Sequence, residues 1–320
     1  MPVVSLPASL SVVIPTYQRP DWIRRAIQSL AAQSRPPDEV IAVARDTDLP
    51  TNDAIADVQR ATLPFALRRE LVTEPGFMPP VKVGLAAAQC DVIAVMDDDA
   101  EAEDGWAARL LPNYDDVAVG AVGGRVINIH GGVVAEVPAV SRVGYVTALG
   151  QFVGNMYCRP SFEQPVEVDF MLGGNMSFRR EVARRLEFDM ELNRNVAQGY
   201  EVDIGLQVKR MGWKVVFDPK VAIRHYSAPR ATAGMRPEAD TDGIKWYSFN
   251  HARVALRRLS VSRSAIAVAY QVAIGERRAP GLLPLALAPL GRRLGFDLRA
   301  AGPAFAGRWL AFRGVVAQAR

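Results

Sequence analysis

Four apolar runs in the first hundred residues limit what this chain can fold into. They are LSVVI at 10–14, EVIAVA at 39–44, a weaker run at 66–72, and DVIAVM at 91–96. Stretches with helical spacing separate them. One starts at about Asp21, with Ile23, Ala26, Ile27 and Leu30 on one face; others lie near 53–61 and over 80–89. Strands that are apolar throughout, rather than alternating, belong to sheets covered on both faces. Their alternation with helices predicts an α/β fold with a mostly parallel sheet. Pro15 is expected to end the first strand.

The later sequence is less regular. A glycine-interrupted strand is expected over 117–129, irregular chain over 130–165, and a strand or loop over 168–180. A helix follows at about 200–211, then two short strands, KVVF and VAIRH, ending near 225. The loop-like segment 227–243 marks a boundary, giving domains at 1–228 and 229–320.

Charge separates the same two parts. Residues 251–320 hold twelve arginines and only Glu276 and Asp297 as acids, whereas the whole 320-residue chain carries a net charge of only +4. The body is therefore acidic and the tail basic. The two cysteines, Cys90 and Cys158, have no metal-like spacing, so a reducing compartment is expected. The first residues lack a basic region and are broken by Pro2, Pro7 and Pro15, which argues against a signal peptide. No window reaches the apolar length of a membrane span.

Ligands of open α/β sheets bind outside the carboxyl ends of the strands. Three polar clusters fall at such ends: Pro15 to Pro20, Arg45 to Asp48, and Asp97-Asp98-Asp99. Three adjacent aspartates are tolerated as a solvated turn with Asp99 capping a helix, or around a cation. Their position after a buried strand favours the cation, and carboxylate oxygens suit Mg²⁺ or Mn²⁺. A dinucleotide site is excluded, because the first strand-to-helix turn, PTYQRP, has no glycine. The phosphate-loop pattern is absent as well.

The segments SVVIPTYQRPDWIRRAIQSL, EVIAVARDTD and AAAQCDVIAVMDDDAEAEDGW resemble the nucleotide-binding half of an inverting family 2 glycosyltransferase. FMLGGNMSFRREV, GYEVDIGLQVKRMGWKVVFDP and VAIRHY are similar to its second half, in the same order, over about residues 9–228. The resemblance implies a GT-A fold, a mixed and mostly parallel sheet flanked by helices. Here it would carry a C-terminal helical, basic and apolar extension.

The resemblance also implies roles. Asp99 is the expected direct metal ligand, with Asp97 facing the metal or the ribose and His225 a further contact. Asp98 and the loop Pro15, Thr16, Tyr17 and Arg19 would meet the nucleotide. Ala44 stands where relatives carry a base-reading acid, leaving Asp46 as the substitute, and Lys82 would contact the base or the diphosphate. Gly173, Gly174 and Asn175 fall on the acceptor side, and Trp106 and Trp213 either stack on sugar or belong to the core.

Inverting transfer needs a base to take the acceptor hydroxyl's proton. Relatives carry a Glu-Asp pair at a helix start. Here Tyr200-Glu201 stands in its place, so Glu201 is the expected base and Asp203 the reserve.

The expected activity is metal-dependent transfer of a sugar from a UDP, GDP or dTDP donor to a glycan or lipid-linked glycan. A non-catalytic nucleotide-sugar binder of the same fold is the alternative, kept open by Ala44 and Glu201. In the tail, AIAVAYQVAI and GLLPLALAPL lie between arginines and fit helices in a lipid headgroup region, or an ordinary helical subdomain. Peripheral membrane contact through 251–320, at the inner face of the cell membrane on the cytoplasmic side, is expected. Nucleic acid is not, because the arginines lack interleaved aromatics.

Overall fold

The structure, a computed structural model, describes residues 8–194, 197–228 and 241–318. The first residues of the chain and most of the 227–243 loop, including the expected boundary after 228, lie outside the described residues. The chain divides into two compact units. The first takes residues up to Tyr145, Gly154–Phe188 and Ile204–Pro229; the second takes Val146–Val153, Asp189–Asp203 and Arg230–Arg320.

The first unit is built on one mixed sheet. Its main strands are β1 (Leu10–Thr16), β2 (Glu39–Arg45), β3 (Ala66–Val72), β4 (Val92–Met96), β5 (Ala100–Ala102) and β6 (Val119–His130), then β7 (Val166–Val168), β8 (Asn175–Arg179) and β9 (Lys214–His225), and the two residues Val133–Val134 pair back onto β6. The order across the sheet is β7-β9-β6-β8-β4-β1-β2-β3, with β5 paired to β9. β1, β2, β3 and β4 are mutually parallel, and β6 is parallel to β9. β8 runs antiparallel to both β4 and β6 and joins the two parallel sets.

Helices Pro20–Ala31, Leu49–Gln59 and Met78–Ala87 connect the first four strands. The first buries Ile23, Ala26, Ile27 and Leu30, the face read from the spacing. β1 and β4 are buried along their whole length, as uninterrupted apolar runs require.

Three boundaries differ from expectation for local reasons. β1 runs through Pro15 to Thr16 because its pairing with β4 stops at Val13; beyond that only β2 pairs with it, so a missing N–H is tolerated. The second helix begins at Leu49 rather than near 53, because Asp48 caps it by accepting from the Thr51 N–H at 3.3 Å. KVVF and VAIRH are one strand, β9. Its register with β6 shifts between Asp218 and Ala222, where Pro219 interrupts the ladder.

The second unit is helical, with long helices at Thr241–Arg258, Val261–Ala273 and Ala301–Gln318. Phe249, Ala252 and Ala311 form its buried apolar cluster, with Trp246 packed against it. Asp189 is buried here, between Arg253 (2.6 Å) and Arg257.

Candidate active site

Parallel pairing puts the carboxyl ends of β1, β2 and β4 on one edge of the sheet. Antiparallel β8 brings its amino end to that edge, with Asn175 opposite Met96, so Gly173 and Gly174 fall beside the aspartates. β9 ends there through its pairing with β5, which sets His225 opposite Ala100. Four chain segments remote in sequence thus meet around Asp97, Asp98 and Asp99.

The three carboxylates have different surroundings. Asp98 is buried and accepts from Thr16 Oγ1 at 2.8 Å and from Arg19 Nη1 at 2.6 Å. Burial pushes its pKa up to about 6, although Arg19 opposes the shift. Asp99, also buried, accepts from the Ala228 N–H at 2.9 Å, and its Oδ1 lies 3.3 Å from His225 Nε2. Burial alone would raise it, but the hydrogen bond and charge of His225, with Arg19, hold it below the usual carboxylate range. Burial likewise works against the charged form of His225, and Asp99 outweighs it, so the imidazole titrates above its ordinary value. Asp97 Oδ2 is 4.0 Å from His225 Nε2.

Asp97, Asp99 and His225 each offer a ligand atom, all within 4.8 Å of one another. His225 Nδ1 lies 3.1 Å from Asn128 Oδ1, a contact that orients the ring and leaves Nε2 directed at the carboxylates. A Cβ on Gly174 would stand 2.4 Å from Asp97 Oδ2, so glycine here makes room for that carboxylate. Two carboxylates and an imidazole suit a borderline or hard divalent cation.

The loop after β1 is held by Asp48, from the second polar cluster, and by Thr51, which the sequence reading did not single out. Gln18 has a left-handed backbone (φ 53°), and its N–H donates to Asp48 Oδ2 at 2.5 Å. The Arg19 N–H donates to Thr51 Oγ1 at 3.1 Å. The signal was present in the run DLPT, a helix start with an acid cap and an early proline. Arg19 was expected at the nucleotide, but its guanidinium spans Asp98 and Asp99 and donates to the Ala228 carbonyl at 3.1 Å. Tyr17 is 45% exposed, with the Arg45 guanidinium 5.9 Å from its ring. Asp46 and Lys82 are exposed, Asp46 just past β2 and Lys82 on the helix Met78–Ala87, whereas Pro15 is buried inside β1.

Of the acceptor-side residues, Asn175 faces inward, and the tryptophans divide from one another. Asn175 is 2% exposed; its side chain accepts from Trp106 Nε1 at 3.1 Å and donates to the Arg125 and Val221 carbonyls. Both of its donors are spent on strand carbonyls and its oxygen holds the Trp106 indole, so its burial turns it to structure. Trp106, at 1% exposure, is core. Trp213 packs over Gly120 just before Lys214, at the opposite end of β9 from His225.

Glu201 and Asp203 open the helix Tyr200–Arg210 and belong to the second unit. Glu201 is partly exposed. Asp203 is 2% exposed and accepts through both oxygens from Arg258, at 2.6 and 2.9 Å. The preceding turn is fixed by Asn250, which donates to the Gln198 and Leu192 carbonyls.

Residues 11–186 match the family model described as Glycosyl transferase family 2. The chain is 27% identical over 247 residues to the O-antigen biosynthesis protein RfbC of Myxococcus xanthus, covering 72% of this chain and 18% of that one. It is 32% identical over 124 residues to the galactofuranosyltransferase GlfT1 of Mycobacterium tuberculosis, covering 38% of this chain and 40% of the relative. The chain therefore spans well under half the length of these relatives. The mannosyltransferase PcManGT of Pyrobaculum calidifontis, solved with GDP-Man and Mn²⁺, has a TM-score of 0.55 at 17% identity, covering 97% of this chain and 87% of that one. The likeness is one of fold, the GT-A arrangement of a mixed, mostly parallel sheet flanked by helices.

Proposed function

The chain belongs to glycosyl transferase family 2, and from that premise we propose that it transfers a sugar, with inversion, from a nucleoside diphosphate donor to a glycan hydroxyl. The observation that carries the proposal is the meeting of Asp97, Asp99 and His225 at the carboxyl edge of the sheet. Those three side chains would hold Mg²⁺ or Mn²⁺. The bound cation would neutralise charge on the departing diphosphate.

The chain's own groups supply the rest. Asp98 fixes Arg19 and Thr16, and through them the loop that carries Tyr17 toward solvent. Asp46 and Lys82 are exposed and available to a nucleotide. Glu201, partly exposed at the start of its helix, takes the acceptor proton. Asp203 is assigned to structure, since Arg258 occupies both of its oxygens.

The division at 1–228 and 229–320 belongs to the same proposal, with transfer chemistry in the first part and a helical extension in the second. A lipid-linked glycan at the inner face of the cell membrane is the acceptor that suits a basic, apolar extension. The relatives are a galactofuranosyltransferase and an O-antigen biosynthesis protein, which supports glycan assembly as the setting.

Titration of UDP, GDP and dTDP into the protein, with and without Mn²⁺, tests the proposal. Metal-dependent binding of one nucleotide, lost in Asp99→Ala, is the expected result. Metal-independent binding, or none, would overturn it.

A further inference from the structure

Among the described residues, the C-terminal unit carries an exposed apolar surface. Leu282, Leu283, Leu285, Leu287, Leu290 and Leu294 are each between 43% and 54% exposed. They sit on two short helices, Leu282–Ala286 and Ala288–Arg293, and on the residues that end them, Leu287 and Leu294. The fold holds them outward: Pro284 and Gly291 are buried, and a Cβ on Gly291 would lie 2.3 Å from the Pro284 carbonyl oxygen. The two helices therefore pack against each other through small and ring-constrained residues and turn their leucines to solvent. Single exposed leucines are ordinary on a protein surface; six within thirteen residues are not.

The charge around them is mainly positive, with Glu276 and Asp297 as the flanking acids. Residues 277–296 contain Arg277, Arg278, Arg292 and Arg293, all exposed, and no acid. The Arg277 carbonyl accepts from the Asp297 N–H at 2.8 Å, and a Cβ on Gly295 would lie 3.8 Å from the Arg277 side chain. Arg277 thus lies beside the C-terminal end of the leucine segment, the end that carries Arg292 and Arg293 in sequence. No helix among the described residues is long and apolar enough to cross a membrane.

We propose that the segment 277–294 is an interfacial anchor, which seats its leucines among the acyl chains of an anionic bilayer and its four arginines among the headgroups. Exposed apolar side chains with cations beside them match that boundary. A second copy of the chain fits less well, because a two-fold contact would bring the same four arginines together. The proposal rests on the membrane-side acceptor suggested above and assigns it a docking surface.

The full chain, without donor or metal, is mixed with vesicles of phosphatidylcholine alone or with added phosphatidylglycerol, and the bound fraction is read by flotation. Binding to the anionic vesicles, weakened by salt, is expected. Leu283→Asp with Leu287→Asp should lower the partition by at least about tenfold. Arg292→Gln with Arg293→Gln should lower it by roughly twentyfold or more on anionic vesicles, at about fivefold per arginine. Both pairs are exposed, and circular dichroism confirms that the variants fold. Failure of the folded protein to bind anionic vesicles would overturn the proposal. So would light scattering that shows a dimer lost in the leucine variant. Nucleotide binding is measured separately in solution, so a failed anchor and a failed transferase give different results.

Discussion

Arg19 sets one nitrogen, Nη1, 2.6 Å from Asp98 Oδ1 and 3.1 Å from Asp99 Oδ2. That single guanidinium relieves the repulsion between two adjacent buried carboxylates, while Asp97 and Asp99 share the neighbourhood of His225. The three aspartates are thus compatible with a buried strand end because the Arg19 guanidinium and the His225 imidazole, from distant segments, stand among them. The pair also ties the loop after β1 to the loop after β4.

Arg19→Gln should therefore destabilise the protein by about 3 kcal/mol, the usual scale when one partner of a buried pair is removed. Asp98, already pushed to about 6, would lose its counter-charge and become protonated at neutral pH. Adding Asp98→Asn should recover part of the loss, because a neutral amide occupies the site without having to take up a proton. Urea unfolding of the two single variants and the double variant measures this. Strict additivity would show that the two side chains are not coupled.

Gly174→Ala tests the metal cradle without touching a ligand. The added Cβ would fall 2.4 Å from Asp97 Oδ2 and force that carboxylate aside. Mn²⁺ affinity by calorimetry should fall by about 10–100-fold, as for other changes that disturb a ligand's support. Asn128→Ala should act in the same direction by releasing His225 Nδ1. Unchanged Mn²⁺ binding in Gly174→Ala would remove Asp97 from the ligand set.

The two acids at the head of the helix Tyr200–Arg210 should behave differently. Glu201→Gln should leave nucleotide binding intact and reduce transfer by about 10²–10⁴-fold, the contribution of a positioned base. Asp203→Asn should instead lower stability, and Arg258→Met should reproduce it, because the two residues form one buried bidentate pair. Single-turnover transfer beside thermal unfolding separates the effects. Full turnover by Glu201→Gln would move the base elsewhere.

What could be read from the sequence divides along physical lines. β1, β2 and β4 were legible because burial on both faces leaves an apolar run with no alternation. The aspartates were legible because a polar cluster directly after such a run must sit at the carboxyl edge. The role of Asn175 was not, since a polar residue beside two glycines reads as a ligand contact until Trp106, 69 positions away, is seen to donate to it. Arg258 was hidden for the same reason, 55 positions from Asp203. Pro15 misled because its tolerance depends on where a neighbouring strand stops.

Glu276 offers a pH test within the helical unit. Burial would raise its pKa, but His251, Tyr247 and Arg308 together pull it down to about 2 from an ordinary 4.5. The Tyr247 hydroxyl donates to Glu276 Oε2 at 2.5 Å, and His251 Nδ1 lies 3.6 Å from Oε1. A carboxylate whose folded pKa lies below its unfolded one binds fewer protons when folded. It therefore adds stability above about pH 4.5 and loses it as the pH falls toward 2. A depression of this size corresponds to roughly 3 kcal/mol. Glu276→Gln should accordingly destabilise the protein at pH 7, and the gap from the unaltered chain should close between about pH 4.5 and pH 2. Urea unfolding across that range, followed by tryptophan fluorescence from the helical unit, reads the gap. A gap that stays constant with pH would mean that the side chain contributes by packing, with its charge held no better in the folded protein than in the unfolded one.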